Sequence, residues 1–412
     1  MLGKNMSVSY KPLWKTLVER EWNKQRLREE TGLSACTMAK LGKNQNVTTG
    51  VLLRVCEALE CTISDVVEIT KLGEIPSEIL QPIVKPRVVS LFSGAGGLDL
   101  GFKEAGFRLV WANDFDADAV ATYRDNIGTE CVLGDISQIA SNEIPDCEVM
   151  IGGFPCQGFS VANTRRDVLD SRNKLYLEYI RILSEKKPLM FVAENVKGIL
   201  TLGKGAVIRA IINDFTEAGY TVVYKLLNAA DYGVPQLRQR IIIVGIRNDL
   251  NLNFSFPEPT HSKGGEFGLL PWVSVAEALK DIPDPDGNQA NKVPNNQYSR
   301  YKIVTRNFTG HRPTDGDKPS PTILARGNGG GGVCAIPHYN GTRRLSIRES
   351  ATIQTFPKEF IFSGRMGSAY RQVGNAVPVV LAKVIAVQVM KTLRKKDCPS
   401  NALSKIHTQK TI

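Results

Sequence analysis

Three glycines in the run FSGAGGLDLGF, residues 92 to 102, could hold a nucleoside-containing ligand. The run follows an apolar stretch that predicts a strand and opens a stretch that predicts a helix. Gly94, Gly96 and Gly97 would let the backbone turn sharply and approach a ligand beside the helix N-terminus. The run does not have the GxGxxG spacing of dinucleotide-binding enzymes. Taken alone, it also fits a tight structural turn.

Two carboxylates follow the next two predicted strands, Asp114 in WAND and Asp135 in LGDI. In nucleotide-binding α/β folds an acid at the end of the second strand binds ribose hydroxyls, which is the position of Asp114. Asp135, at the end of the third strand, would lie near an adenine amino group. No GK[ST] triplet follows the glycines, which disfavours ATP. The pattern predicts a nucleoside cofactor.

A single cysteine, Cys156 in GGFPCQGFS, comes directly after the apolar run 149 to 151. The eight cysteines form no CxxC pair and no Cys/His cluster with zinc-ligand spacing, so neither a structural metal nor a disulfide framework is expected. Most cysteines in such a chain are small buried hydrophobic residues. That interpretation covers seven of the eight, at positions 36, 56, 61, 131, 147, 334 and 398. Cys156 raises a separate question, because it is held beside Pro155 at the end of a predicted buried strand.

From Arg87 onward, predicted strands alternate with predicted helices over about 160 residues. This alternation favours an α/β fold with a parallel sheet that is covered by helices on both faces. The last two strands, TVVYKLLNA and RIIIVGI, are joined without a predicted helix, which indicates an antiparallel hairpin at one edge.

Residues 10 to 70 predict five short helices, in LWKTLVEREW, KQRLREETGLS, ACTMAKLGKN, TTGVLLRVCEALE and TISDVVEI. Gly32 would stop the second helix and Ser34 would cap the third. Two short helices joined by a glycine turn are what a helix-turn-helix requires, although helical hairpins without DNA binding are common. The helix order and the phrases LREETGLS and VCEALECTISDV resemble the Cro/C1 class of DNA-binding domains. The resemblance implies DNA contacts by Thr37 and Lys40 of the third helix.

The charge of the chain is unevenly distributed. The net charge is +11, and residues 292 to 372 hold thirteen Lys or Arg against four Asp or Glu. Such a surface could be a solvated basic face or a binding surface for a polyanion such as nucleic acid. Residues 253 to 341 are rich in Pro, Gly and Asn and show no periodicity, which is typical of functional loops on a small scaffold.

Six motifs carry a resemblance to the DNA cytosine-5 methyltransferases. They are FSGAGG, GGFPCQGFS, AENVKGIL, VPQLRQR, RRLSIRESATIQTFP and YRQVGNAVP, and they occur in the order of that family, between about residues 87 and 390. The resemblance implies an S-adenosylmethionine-dependent methyltransferase with a Rossmann-like sheet and a small, irregular target-recognition domain. A helix-turn-helix domain at residues 1–72 and a linker at 73–86 would precede it. The other predicted parts are the catalytic domain at 87–252 and 342–392, the target-recognition domain at 253–341 and a disordered tail at 393–412.

The resemblance also assigns the chemistry. Carbon 5 of cytosine is a poor nucleophile, and addition of a thiolate to carbon 6 makes it enamine-like, so Cys156 is identified as the covalent nucleophile. Glu194 would supply a proton at N3 of the cytosine, and Asn195 would help to fix the loop. Arg238 and Arg240 would grip the cytosine carbonyl and the active-site loop, because arginine offers two forked donors.

The cofactor and DNA contacts are implied in the same way. The cofactor residues would be Phe92, Gly94, Gly96, Gly97, Asp114, Phe115, Asp135, Pro155 and Asn375, with Phe92 and Phe115 flanking the adenine. In the methyltransferase part, the predicted DNA contacts are Gln157, Ser160, Arg165 and Arg166 after the thiol, and Arg326 in the target-recognition domain. The loop 158–172 would close over a cytosine flipped out of the duplex.

Together these features predict a modification enzyme of a bacterial restriction-modification system, which acts on double-stranded DNA and represses its own promoter. Two alternatives stay open: the same chemistry on tRNA, and a DNA-binding regulator with an inactive methyltransferase domain. We expect a monomer in catalysis, and a dimer through the helix-turn-helix domain is an open alternative during repression. The N-terminus lacks a secretory signal and no apolar run approaches a membrane span, so we expect a cytoplasmic protein.

Overall fold

The computed structural model describes residues 7–70, 85–155, 174–300, 303, 314–325 and 336–395. The chain divides into two compact units, Met1–Val84 and Lys85–Ile412. A nucleoside-binding α/β fold was predicted for the second unit and helices for the first.

The described residues of the N-terminal unit, 7–70, form four α-helices: α1 (Lys11–Glu19), α2 (Lys24–Thr31), α3 (Ala35–Gly42) and α4 (Thr49–Ala58). They enclose a small core of leucines and valines that includes Leu13, Leu27, Leu41 and Val55. Strand β1 (Ser7–Ser9) pairs antiparallel with β2 (Glu68–Thr70). The predicted helix in TISDVVEI is wrong: Ile63–Asp65 forms one 3₁₀ turn and the chain then enters β2. Val66, Val67 and Ile69 are β-branched, which favours a strand over a helix.

The turn between α2 and α3 forms as predicted. Gly32 ends α2 in the left-handed conformation, with φ of 62°, which glycine adopts without steric cost. The Ser34 hydroxyl accepts a hydrogen bond from the Thr37 amide at 3.1 Å and caps α3.

A seven-stranded sheet forms the centre of the second unit. Its strands are β3 (Arg87–Leu91), β4 (Arg108–Asp114), β5 (Cys131–Leu133), β6 (Val149–Gly152), β7 (Met190–Val196), β8 (Tyr220–Asn228) and β9 (Gln239–Arg247). Their order across the sheet is β5-β4-β3-β6-β7-β9-β8. The first five are parallel, whereas β9 runs antiparallel to both β7 and β8. The predicted α/β fold and edge hairpin are confirmed.

Helices cover both faces of this sheet. One face packs against α5 (Gly97–Glu104), α6 (Ala117–Asn126) and α12 (Val379–Arg394). The other packs against α7 (Lys174–Lys186) and α8 (Ala206–Glu217). Val88 faces the first core and Val89 the second, because side chains alternate along a strand. The short helices α9 (Val275–Leu279), α10 (Ile347–Ile353) and α11 (Met366–Asn375) extend the first core.

The C-terminal helix closes onto the glycine-containing helix α5. A Cβ atom on Gly101 would lie 2.4 Å from the Cβ of Ala382, so the two helix backbones touch at this glycine. Among the described residues, the helical stretch Met366–Arg394 alone has the length and composition of a membrane span. However, 67% of its most apolar 18 residues is buried inside the protein, as in the core helix of a folded domain.

The segment after β9 is irregular, as predicted. Its only strands among the described residues are β10 (His261–Ser262) and β11 (Leu270–Pro271), which form a short parallel pair.

Candidate active site

The predicted site residues converge because of the strand directions. Parallel strands end at the same edge of a sheet, so the segments after β3, β4, β5, β6 and β7 lie side by side there. In antiparallel β9 the first residues occupy this edge, and Arg240 pairs with Val196 at the end of β7. The sheet therefore brings the glycine run, both aspartates, Glu194 and Arg240 to one edge.

The glycine run is tied to the end of β4. The Gly94 amide donates to Asp114 Oδ2 at 2.8 Å, and the Asp116 amide donates to Asp114 Oδ1 at 2.9 Å. Phe92 has a φ of 55°, an unusual conformation for an aromatic residue, so the turn is imposed by its surroundings. Burial raises the pKa of Asp114.

The three glycines predicted to bind the cofactor have different surroundings. At Gly94, with φ of 55°, no described atom lies within 4 Å of an added Cβ, so open space adjoins the backbone. At Gly96 an added Cβ would lie 2.1 Å from Ile127 Cδ1, and at Gly97 it would lie 2.4 Å from the Val377 carbonyl oxygen. Packing therefore requires glycine at positions 96 and 97, whereas open space adjoins the backbone at Gly94.

Three more residues that were predicted to bind the cofactor lie at the same edge. Phe115 is 74% exposed, which leaves a ring face available. Asp135 is exposed, and its carboxylate accepts from the Ser137 amide at 2.9 Å. Asn375 is exposed at the end of α11, two residues before the Val377 carbonyl that contacts Gly97. These positions allow the predicted contacts to a nucleoside.

The segment that leads to the thiol is held in place up to Pro155. Phe154 is buried, and its ring packs on Tyr176 and Tyr179 at centroid distances of 5.1 and 5.8 Å. Buried Asn195 donates from Nδ2 to the Phe154 carbonyl at 3.0 Å, so β7 fixes the end of β6. Cys156 itself lies outside the described residues, as do Gln157, Ser160, Arg165, Arg166, the loop 158–172 and Arg326.

Glu194 and Arg240 form an ion pair at this edge. Arg240 Nε lies 2.7 Å from Glu194 Oε1, and both side chains are 12% exposed. Arg240 Nη1 also donates to the Gln239 carbonyl at 2.8 Å. A Cβ on Gly153 would approach Glu194 Oε2 to 2.9 Å, so the carboxylate lies directly against the segment before Cys156. The pair places a carboxylate beside a fixed cation, and these are the two residues predicted to act at N3 and at the carbonyl of a cytosine.

Arg238 occupies a different position from the one predicted. Its side chain is 1% exposed, and it donates from Nη1 to the Ile323 carbonyl and from Nη2 to the Gly374 carbonyl, both at 2.9 Å. Burial and the neighbouring Arg240 lower the pKa of its guanidinium. Arg238 is therefore not available to bind the base, and of the two predicted arginines only Arg240 is. Arg238 instead joins backbone segments that are distant in sequence.

This difference predicts opposite effects for two equivalent substitutions. Arg238→Lys should lower the free energy of unfolding by about 2–3 kcal/mol, because a single ammonium nitrogen does not reproduce the two spaced guanidinium nitrogens that bind the two buried carbonyls. The turnover of the folded fraction should stay within a fewfold of wild type. Arg240→Lys keeps the charge beside Glu194 but loses the planar fork of donor nitrogens, so kcat/KM should fall about tenfold while the melting temperature changes little. Thermal unfolding and steady-state methylation kinetics measure both effects. Equal melting temperatures of the two variants would contradict this assignment.

A buried polar network that sequence reasoning missed supports the same region. Gln236 Nε2 donates to Gln354 Oε1 at 2.8 Å, and Gln236 Oε1 accepts from the Ile323 amide at 3.0 Å. Gln354 Nε2 in turn donates to the Val373 carbonyl at 2.7 Å and to the Ala376 carbonyl at 3.1 Å. Glutamine in VPQLRQR and in TIQTF is the signal that could have indicated it.

Two further polar residues beneath the cofactor edge were also missed. Asn113 donates from Nδ2 to the Val132 and Gly134 carbonyls, each at 3.0 Å, and so fixes the segment that carries Asp135. Asp99 in α5 is fully buried and accepts from the Tyr123 hydroxyl at 3.0 Å. Burial raises the pKa of Asp99 to about 7.

An open cavity of about 570 Å³ adjoins the ion pair. It is lined by Val196, Lys197, Gly198, Asn228, Leu237, Gln239, Arg240, Trp272 and Thr322. Exposed Lys197 donates to the Gln239 side chain at 2.9 Å, so a cation is held at the cavity wall.

In the N-terminal unit, the residues predicted to contact DNA belong to α3. Lys40 is exposed, and Thr37 is half-buried, with its hydroxyl 2.9 Å from that of Ser34. Both side chains are on the helix that a helix-turn-helix places in the major groove.

Comparison with known proteins gives concordant matches for both units. Residues 86–391 match the family model of the C-5 cytosine-specific DNA methylases, and residues 12–71 match that of the Cro/C1-type HTH DNA-binding domain. The type II methyltransferase M.NgoFVII of Neisseria gonorrhoeae is 42% identical over 326 residues, which cover 73% of this chain and 86% of that protein. M.BsuRI of Bacillus subtilis is 39% identical over 356 residues, covering 73% and 78%. The crystal structure of a prophage-encoded E. coli protein, described as a DNA modification methyltransferase, superimposes with a TM-score of 0.60 at 26% identity and covers 75% of this chain and 100% of that one.

Proposed function

Because this chain belongs to the C-5 cytosine-specific DNA methylases and is a type II restriction-modification methyltransferase, we propose that it methylates carbon 5 of a flipped cytosine through Cys156. The observation that carries the proposal is the Glu194–Arg240 pair at 2.7 Å, which lies against the segment leading to Cys156 at the edge that also holds the glycine run. A thiol, a proton carrier and a fixed cation are the groups that addition to a cytosine requires.

The residues at the cofactor edge fit S-adenosylmethionine. Open space beside Gly94 and the exposed ring of Phe115 suit a nucleoside, and the Asp114 oxygens can each accept a further hydrogen bond from ribose. Asp135 and Asn375 would complete the site, with Phe92 opposite Phe115. When bound, the cofactor supplies a methyl group on a positively charged sulfur, which an electron-rich carbon can accept.

The side chains of the site act on the cytosine one after another. The Cys156 thiolate forms a bond to carbon 6, and N3 receives a proton from Glu194, so that no negative charge remains on the ring. Arg240 orients Glu194 and binds the carbonyl of the base. Once carbon 5 has gained its methyl group, solvent water takes the carbon-5 proton, the C6–S bond breaks with its electron pair leaving on Cys156, and N3 returns its proton to Glu194, which restores the aromatic ring. Asn195 and Arg238 are positioning residues in this scheme, because they hold backbone rather than base.

Transfer of a labelled methyl group from S-adenosylmethionine to unmethylated plasmid DNA tests the proposal. Nucleoside analysis of the product should show the label in 5-methylcytosine. Label in another base, or none, would contradict it. A parallel reaction with bulk tRNA addresses the RNA alternative, and a catalytically silent protein would support the regulator alternative. We assign the irregular segment 253–341 to target recognition, and sequencing the methylated plasmid would give its target.

We further propose that the N-terminal unit represses the promoter of its own system, with α3 in the major groove. A reporter driven by the upstream DNA should be repressed about tenfold by the Cys156→Ala protein, which binds without methylating. Adding Lys40→Glu should relieve most of that repression, because a negative charge replaces a positive one beside phosphates. Equal reporter output with and without the Lys40 change would disprove this role.

A further inference from the structure

An unusual phenylalanine lies at the tip of the short segment between β10 and β11. Phe267 is 100% exposed and has a φ of 59°. A bulky residue rarely adopts this left-handed conformation, which costs on the order of 1–3 kcal/mol. Its neighbours Gly265 and Gly268 also have positive φ, of 74° and 77°. Neither solubility nor packing accounts for an aromatic ring at this position.

The tip is held by its own hydrogen bonds. Glu266 Oε2 accepts from the Ser262 hydroxyl at 2.6 Å and from the Gly264 amide at 3.1 Å, while the Glu266 amide donates to the Ser262 hydroxyl at 2.8 Å. The Ser262 carbonyl accepts from the Trp272 amide at 2.8 Å. These bonds hold the segment, and with it the ring, in a defined place. The one carboxylate of the segment, that of Glu266, is already hydrogen-bonded within the segment.

The base of the segment is fixed to the catalytic edge of the sheet. Asp231 follows β8, whose last residue, Asn228, pairs with Gln239 beside Arg240. The Asp231 carbonyl accepts from the Thr260 amide at 2.9 Å, and its carboxylate accepts from Trp272 Nε1 at 3.0 Å. Trp272 also lines the cavity that contains Lys197 and Arg240. The segment that carries the exposed ring is thus anchored through Trp272, a residue of the cavity wall.

We propose that Phe267 packs against base faces of the bound duplex beside the cytosine that leaves the stack. A phenyl ring offers no hydrogen-bond donor to phosphate, but it matches the flat apolar face of a base. Apolar wedges of this kind stabilise unstacked base steps in other DNA-binding proteins. Exposed Lys263 in the same segment, together with Lys197 at the cavity, supplies the positive charge that draws the backbone close. The inference rests on the proposed function and adds a DNA-positioning residue to it.

Steady-state methylation of unmethylated plasmid DNA by the full-length protein tests this role. Phe267→Ala should raise KM for DNA about fivefold to a hundredfold, because loss of one base-stacking contact has that effect. Phe267→Tyr should restore most of the affinity. The salt dependence of KM should stay unchanged, since the ring neutralises no phosphate. The matched control is Leu270→Ala, which removes a 61% exposed side chain from the adjoining strand β11. This variant should behave as wild type.

Phe267→Gly separates a functional role from a structural one. Glycine relieves the positive φ, so the melting temperature should stay equal or rise while KM for DNA increases as in the alanine variant. Values of KM within twofold of wild type in both variants would overturn the inference and leave the proposed function intact. A loss of self-association in place of a change in KM would also overturn it, because the ring would then contact a second copy of the chain. Absence of methyl transfer in the wild type and in Leu270→Ala alike would contradict the proposed function itself.

Discussion

Cys156→Ala is expected to lower kcat for methyl transfer by at least about 10⁴-fold, because no other group in the proposed site can add to carbon 6. Without that covalent bond, carbon 5 stays part of an aromatic, electron-poor ring. Binding of DNA should persist, since the cationic groups are unchanged. Single-turnover transfer of labelled methyl to plasmid DNA measures the loss.

Cys147→Ala is the matched control for this substitution. Cys147 is buried just before β6, the strand whose other end leads to Cys156, and burial raises the pKa of its thiol to about 12. Its replacement should leave kcat within a fewfold of wild type. If the Cys156→Ala enzyme kept more than about one hundredth of wild-type turnover, nucleophilic catalysis by this residue would be excluded.

Glu194→Gln should reduce kcat by about 10²–10⁴-fold, the range that general acid catalysis contributes. Glutamine keeps the shape of the side chain and can still accept from Arg240, but it cannot transfer a proton to N3. KM for DNA should change much less than kcat, because the lost interaction strengthens only as N3 gains a proton.

A second carboxylate provides a control at the opposite edge of the sheet. Glu148 pairs with Arg87 at 2.8 Å, beside the first residues of β3, where no site residue was predicted. Glu148→Gln therefore tests the loss of an arginine-paired carboxylate without touching the catalytic edge, and its kcat should match wild type. Similar losses in the two variants would mean that Glu194 acts on stability rather than on the reaction.

The alternation of strands and helices was enough to predict the sheet and its edge hairpin, because each strand is a local apolar pattern. The glycine run and Asp114 were recognisable for the same reason: they follow strands directly. The separate purposes of Gly96 and Gly97 were not predictable, since they depend on Ile127 and on Val377, residues brought close only by folding.

Arg238 shows the same limit within the site. Nothing adjacent to it in sequence reveals that its partners are the carbonyls of Ile323 and Gly374, 85 and 136 positions away. In the N-terminal unit, the strand at Glu68–Thr70 forms because β1 pairs with it, which overrides the helical pattern of TISDVVEI. Phe267 lies in a segment without periodicity, so its exposure became visible only in three dimensions.

Covalent trapping on fluorinated DNA tests the central claim most directly. A plasmid-length duplex made with 5-fluorocytosine in place of every cytosine contains a short recognition sequence even though that sequence is unknown. Fluorine at carbon 5 blocks the final elimination. With S-adenosylmethionine, the wild-type protein should form a denaturation-resistant complex whose attachment maps to Cys156 by peptide mass spectrometry. Absence of the complex, or attachment through any other residue, would contradict covalent catalysis by Cys156.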